Sequence, residues 1–524
     1  MQKNSWKQIL LILAVLGLCA LHFVFQNADA EDVQQEAKEI TSVAQLNSGE
    51  YTVGFITGTS AMYAVEEELP EARQKNYDDP VMGYLSVQEG KIDAFSYDRK
   101  QMELAIENGQ EGVRIMDENL GPNTDIAAGL SPVSEIPDLE EQIDRFIDEL
   151  NEQGILDEMY DRWVMQGNEE MPADVRTAEN PELVLTVGTS GTVVPYSYYK
   201  DGELTGFDIE FSRRFAYWLN AEVEFKVYTY DAIVPAALTG DVDIICANLN
   251  VTEERLEAMA FSKPLFVQEN AVMVLDTGGA GNGEQGFLAS VKESFEKTFI
   301  REDRYKLFLR GIGMTMFITV LSIIAGTVVG FLAYMGCRKG NPIANRFVGL
   351  TIWLVQGMPL VVLLMILYYI VFANAPIGGA WVAIIAFTLT FGATMYRMLQ
   401  MGVNAVDNGQ TEASLALGFS ERETFFTVIL PQAAEHFMPT YKGEVTALIK
   451  ATAVVGYIAV QDLTKVGDIV RSRTYEAFFP LIAVAVIYFI LAGILNAIVN
   501  RAVASVDPRS RNKEQILKGI SCHD

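Results

Sequence analysis

Between residues 183 and 275 short apolar runs alternate with amphipathic stretches: LVLTVGTS, FDIEFSRRFAYWLN, EVEFKVYTY, IVPAALTG, DVDIICANL and ENAVMVL. Strand-length runs set between helical patterns predict an α/β layer with a mostly parallel sheet, whose ligand sites gather at the carboxyl ends of the strands. Upstream, LEEQIDRFIDELNEQGILDEMYDRWV has the amphipathic period of two helices, and MQGNEEMPADVRTAENP after it has the composition of a linker. The run NAVMVL reads as a strand leaving this layer, and the glycine-rich DTGGAGNGEQG reads as a tether.

The pattern changes after residue 305. Five apolar segments approach the length of a bilayer-spanning helix: 312–335, 348–372, 377–395, 441–461 and 478–503. The fourth carries Lys442, Glu444 and Lys450, which are costly in lipid unless they face protein or water. Basic residues cluster in CRKGNPIANR, YRMLQMG and NRAVASVDPRSRNK, and Lys and Arg flanking membrane spans are retained in the cytoplasm. The first span then runs inward, the third ends inside and the fifth leaves the carboxyl terminus inside. Between the third and fourth spans, residues 412–433 are too long and too patterned for a plain connector. Glu412 to Gly418 is helix-prone and ends on a capping glycine, and Pro431 is placed to open the next helix.

Composition narrows the function. Half of the 524 residues are hydrophobic and the net charge is −29, with acidic residues crowded into the amino-terminal half, so nucleic acid is excluded as a partner there. The three histidines are scattered and offer no metal cluster, and Cys246 sits in the apolar DVDIICANL as a buried strand residue, with no disulfide partner in the exported part. Residues 1–30 place Lys3 and Lys7 before an apolar run and Ala28 and Ala30 after it, the pattern of an export segment that is cleaved after Ala30 or kept as an anchor. No G-x-x-x-x-G-K-[ST] phosphate loop is present in this sequence.

Glu412, Ala413, Gly418, Leu430 and Pro431 resemble the coupling-loop signature of ATP-binding-cassette importer permeases, with Ser414 and Val428 departing from its usual residues. VQGMPLVVLLMILYY and GEVTALIKATAVVGYIAVQDLTKVG are similar to the polar-amino-acid branch of that family, and the resemblance covers about residues 305–505. It implies an all-α transmembrane permease domain whose loop transmits closure of a separate ATPase subunit. It also implies two copies of the ATPase, which would hold ATP and Mg since this chain has no phosphate loop and is expected to carry no cofactor, and a homodimer through the permease domain.

VVPYSYYKDGELTGFDIEF and ALTGDVDIICANLNVTEERLEAMAFSKP resemble the first lobe of the extracellular amino-acid-binding proteins, which have the α/β two-lobe periplasmic-binding-protein-like (type II) fold. An amino-acid carboxylate suits a planar bidentate cation, and Arg255 in T-x-E-R matches the family's carboxylate-binding arginine. Tyr230, and with it Tyr196, would wall the side chain. Val193, Ser190, Asn248 and Asn250 depart from the family pattern, and the two asparagines are read either as pocket amides or as turn residues. The second lobe is found upstream: SVAQLNSGEYTVGFITGTS resembles its opening and LSVQEGKIDAFSYD its later strand. Gly58, Thr59 and Ser60 then match the turn that meets the ligand carboxylate, and Asp98 matches the aspartate that pairs with the ligand ammonium.

The expected order is therefore an export segment (1–30), lobe two with the carboxyl-terminal helices of the binding domain (31–165), a linker (166–182), lobe one (183–275), a second linker (276–304), the permease (305–505) and a cytoplasmic tail (506–524). The lobes stand in circularly permuted order, with the tether replacing a cut hinge crossing, which would let the domain close loosely. The expected function is capture of an amino acid outside the cell and its passage through a multi-pass membrane domain, with no catalysis by this chain. A ligand-gated or sensory receptor built on the same lobes is the alternative.

Overall fold

The computed structural model describes residues 39–276, 287–373, 375, 377–476 and 478–506. The export segment, the glycine-rich tether beyond Asp276 and the tail beyond residue 506 lie outside the described residues. The chain divides into two compact units, residues 1–308 with 466–483, and residues 309–465 with 484–524.

The first unit contains two α/β lobes. Its first lobe in chain order builds β1 (Thr52–Ile56), α1 (Ser60–Glu68), β2 (Arg73–Tyr77), α2 (Pro80–Gln88), β3 (Ala94–Asp98), α3 (Arg99–Glu107) and β4 (Val113–Asn119). The chain leaves through β5 (Thr124–Ile126) and β6 (Gly129–Leu130), then forms α4 (Leu139–Glu152) and α5 (Ile155–Tyr160). The other lobe follows with β7 (Leu183–Thr189), the small meander β8 (Thr192–Val193), β9 (Ser197–Lys200) and β10 (Glu203–Thr205), then α6 (Phe207–Trp218), β11 (Ala221–Val227), α7 (Tyr230–Leu238), β12 (Ile244–Ile245), α8 (Glu253–Ala258) and β13 (Ala260–Phe261). The chain returns through β14 (Phe266–Gln268) and β15 (Asn270–Leu275).

The strand orders are β2-β1-β3-β15-β4 in one lobe and β11-β7-β12-β6-β13 in the other, so each sheet holds a strand delivered from the opposite end of the domain. β15 runs antiparallel between β3 and β4. Its composition suits a central strand, because Val272 and Val274 pack into one buried cluster with Val53 and Phe55, while Ala271 and Met273 pack into another with Phe95 and Tyr97. NAVMVL, placed at the end of lobe one by its sequence position, is therefore a structural part of lobe two.

This placement corrects the expected hinge. The two crossings, β5 and β14, pair with each other antiparallel, and both are covalently continuous. The break in the usual chain order falls beyond the far end of β15, inside lobe two, so the hinge keeps both of its strands. The helices α4 and α5 close on lobe one as the amphipathic pattern implies: Phe146 meets Phe211 and Phe215, and Trp163 is buried. Buried Glu210 fixes this junction by accepting from Arg162 (2.8 Å), Arg214 (2.8 Å) and the Trp163 indole (2.6 Å).

α9 (Phe287–Phe295) follows the tether. The helices of the membrane half are α10 (Tyr305–Cys337), α11 (Pro342–Gly357), α12 (Leu360–Ile366), α13 (Gly379–Asn404), α14 (Asn408–Ala416), α15 (Glu421–Glu423), α16 (Leu430–Ala451), α17 (Leu463–Thr474) and α18 (Phe478–Val506). Residues of α17 from Val466 onward belong to the first unit. Among the described residues three helices are long and apolar enough to cross a membrane, or up to five if each bent pair counts as one span. The segment expected as a straight span over 348–372 bends by 112° between α11 and α12. Pro359 causes the break: it lacks an amide hydrogen and forces Met358 out of the helical region, to φ −122 and ψ 152. The fourth span starts earlier than its apolar pattern suggests, because helical structure runs from Glu421 to Ile458 before bending by 61° into α17. α10 and α13 approach closely at small residues, since a Cβ on Gly330 would lie 2.5 Å from the Gly392 carbonyl oxygen.

Candidate ligand cleft and coupling loop

Strand carboxyl ends from both lobes converge on a narrow polar cleft. From lobe two come Thr59, after β1, Tyr97, near the end of β3, and Asn270, at the start of β15; from lobe one come Tyr230, Asn248 and Asn250; from the crossing strand β14 comes Gln268. Gly58 takes φ +76, the left-handed turn that lets β1 hand over to α1. Asn248 also has a positive φ, +52, where asparagine is tolerated better than most residues. It is thus both a turn residue and a cleft residue, and the two readings open at the sequence level coincide.

The lobes meet through a chain of short polar contacts. Asn250 Nδ2 donates to Ser60 Oγ (3.1 Å), which donates to Asn270 Oδ1 (3.0 Å). Arg255, placed on α8 by the Thr252 cap, donates to the carbonyl oxygens of Asn250 and of Gly58 across the cleft, both at 2.9 Å. Its guanidinium lies 6.0 Å from the centroid of the Tyr230 ring. The Thr59 hydroxyl donates back to Ile56 O (2.7 Å), so it is engaged in its own turn.

Asp98 caps α3, accepting from Gln101 N (2.8 Å) on one oxygen and from the Tyr196 hydroxyl (3.3 Å) on the other. Burial pushes its carboxyl up to about 6, although these hydrogen bonds pull the other way. Tyr196 does not wall the cleft. It is buried, stacked on Phe266, and its hydroxyl reaches Asp98 from the opposite lobe. Behind the cleft, burial pushes Asp208 up to about 7; its Oδ2 accepts from Asn248 N (2.8 Å), which locks the turn carrying that asparagine.

Gln268, Asn270, Tyr97 and Asp208 were not singled out in the sequence. β14 and β15 carried no motif beyond an apolar run, although two amides bracketing Glu269 at the head of NAVMVL were a visible departure from a purely apolar strand. Val193, noted as a departure, does line the cleft. Buried Cys246 has its thiol pushed up by burial. Among the described residues no group of three or more His, Cys, Asp or Glu is placed to hold a metal ion.

The second candidate site is the loop between α13 and α16. α14 begins at Asn408, before Glu412, and Gly418 takes φ +90 just past its end. The following helix opens at Ser420, not at Pro431: Ser420 and Glu423 form a reciprocal capping box. Pro431 sits inside the continuing helix behind a π turn over Thr424–Ile429, which absorbs the hydrogen bond its ring cannot make. Buried Phe425 anchors the loop against Tyr334, Leu399 and Phe437, while Leu417 (79 % exposed) and Phe419 (40 % exposed) stay open beside exposed Glu412 and Ala413. Ser414 turns its hydroxyl onto Gln410 O (2.8 Å), which accommodates its departure from the resembled signature.

A two-lobed unit with a polar cleft, joined to membrane-length helices, defines a membrane protein that carries its own cleft domain. Residues 185–356 match the family of bacterial extracellular solute-binding proteins, family 3, and residues 322–512 match the binding-protein-dependent transport system inner membrane component. A putative glutamine transport system permease protein GlnP of Rickettsia felis is 31% identical over 195 residues, which are 36% of this chain and 88% of that one. The glutamine transport system permease protein GlnP of Escherichia coli is 32% identical over 198 residues, 37% of this chain and 90% of its own. Among solved structures, an amino acid ABC transporter described as crystallised with histidines is similar at 26% identity and a TM-score of 0.36, covering 42% of this chain and 99% of that one.

The chain belongs to the binding-protein-dependent transport permeases of the inner membrane, fused to a family 3 solute-binding domain. Such a protein is a transport component and not an enzyme.

Proposed function

We propose that this chain is the substrate-binding and permease subunit of an ATP-driven amino acid importer, with its binding lobes in permuted order. The observation that carries the reading is the cleft itself. Arg255 crosses to the Gly58 turn and Asp98 lies buried opposite Tyr196, a cation and a carboxylate suited to the two charged ends of an α-amino acid. On ligand entry the carboxylate replaces carbonyl oxygens as the partner of Arg255 and meets the Gly58–Thr59–Ser60 turn, while the ammonium takes up Asp98.

The side-chain end of the cleft is neutral. Asn250 and Asn270 are spent on Ser60, whereas Asn248 Oδ1 and Gln268 Oε1 are buried without a hydrogen-bond partner. A primary carboxamide both donates and accepts, so it satisfies such amides whichever way round they lie. Glutamine, the solute in the names of the similar permeases, therefore heads the candidates.

Exposed Leu417 and Phe419 at the turn of the 412–433 loop are suited to a groove on a separate ATPase subunit, which holds ATP and Mg. Two such subunits serve a homodimer formed through the permease helices. Titrating the purified full chain against the twenty amino acids by calorimetry tests the reading. Saturable binding of one or a few of them is expected, and no binding to any would overturn it.

A further inference from the structure

The first unit contains a guest. Residues 466–483, more than 150 positions beyond the binding lobes in sequence, are packed with them. Within this segment two arginines two residues apart face different lobes.

Arg471 Nη2 donates to Asp79 Oδ2 at 3.1 Å, while the other oxygen of Asp79 caps α2 by accepting from Val81 N and Met82 N. Arg471 is thus tied to the head of a lobe-two helix. Arg473 grips Glu302 with Nε (3.2 Å) and Nη2 (3.0 Å), pairs with Glu169 on the 166–182 linker at 2.5 Å, and lies 5.1 Å over the ring of Tyr198 on β9 of lobe one. Glu169 in turn pairs with Lys200 of lobe one (3.3 Å). Tyr475, at φ +53, packs against the lobe-two cluster of Phe95, Tyr97 and Met102.

These are not loose surface pairs. The side chains of Arg471, Arg473 and Asp79 are 17, 12 and 15 % exposed. Burial raises Glu302, but Arg473 and Arg304 outweigh it and hold the carboxyl below its ordinary range. Half-buried charges with bidentate partners are worth more than exposed pairs, and removing one partner strands the other. Glu302 itself sits at φ +55, a conformation unfavourable for a β-carbon, which the two arginines hold in place.

We infer that residues 466–475 are a clasp that binds both lobes at once, Arg471 holding lobe two and Arg473 holding lobe one, and so favours the closed cleft. One short segment touching both lobes keeps its full set of contacts in one lobe arrangement. Opening the cleft separates Asp79 from Tyr198 and breaks one end of the clasp. Closure is then shared between the ligand and this segment, and ligand affinity depends on residues outside the cleft. The affinity part rests on the amino-acid-binding reading; the closure part does not.

The test uses the full chain in detergent, with spin labels at exposed Glu67 of lobe two and Glu222 of lobe one, and double electron–electron resonance to measure the distance between them. Without ligand, Arg471→Gln combined with Arg473→Gln is expected to move the distribution to longer distances. Amino-acid affinity is expected to fall about tenfold, in proportion to the lost closed population. Asp79→Asn keeps the α2 cap and removes the charge, so it should reproduce the Arg471→Gln effect and not add to it. Unchanged distances in the double variant would overturn the clasp. A wild-type chain that binds no amino acid would instead overturn the proposed function, and the distance measurement would still decide the clasp.

Discussion

On the proposed reading, two buried carboxyls, Asp98 and Asp208, govern how ligand binding and stability respond to pH. In that reading Asp98 holds the ligand ammonium only when ionised, and its carboxyl is pushed up to about 6, so amino-acid affinity should fall about tenfold per pH unit below that value. Calorimetry at pH 5 and pH 7 checks this, and a flat profile would remove Asp98 from the site. Asp208, pushed up to about 7, binds its proton more tightly folded than unfolded, so its effect on stability is least harmful below about pH 4 and worsens as pH rises towards 7. Asp208→Asn should therefore raise the melting temperature at pH 8 relative to pH 5, removing a penalty of at most about 4 kcal/mol. A variant as pH-sensitive as the wild type would show that Asp208 is not the group responsible. Arg255→Ala should weaken binding by about 100-fold or more while the domain stays folded, because its carbonyl partners Asn250 and Gly58 sit at the edge of the cleft.

At the scale of elements, close helix packing makes the contact between α10 and α13 intolerant of change. Gly330→Ala places a methyl group 2.5 Å from the Gly392 carbonyl and should lower the thermal stability of the membrane half, where the same change at Gly336, with open space around it, should be silent. Much at this scale was legible in the sequence: the two lobes from their motifs, the amphipathic pair α4 and α5, and the left-handed Gly418. What was not legible depends on long-range pairing. NAVMVL looks the same whether it ends one sheet or fills the centre of another, and its insertion between β3 and β4 is decided by partners far upstream in the chain. The capping box at Ser420 was present in the sequence as Ser and Glu three apart, but the proline was the louder signal and misplaced the helix start. The motif draws attention to Asp98, but its contact with Tyr196 of the other lobe is not legible, because no local pattern encodes a hydrogen bond between lobes.

For the whole molecule, the two continuous crossings β5 and β14 replace the expected loose hinge with an intact one, so permutation leaves lobe closure mechanically ordinary. What permutation changes is connectivity, since the strand that ends in lobe two now leads through the tether to the membrane helices. The central claim is that one chain both captures an amino acid and carries it across the membrane under the power of a partner. Reconstituting the chain with its ATPase partner in liposomes and following uptake of a radiolabelled amino acid that the cleft binds tests this directly. Uptake that requires ATP and is lost with Arg255→Ala is the predicted result; a chain that binds the amino acid normally yet gives no ATP-dependent uptake would contradict it.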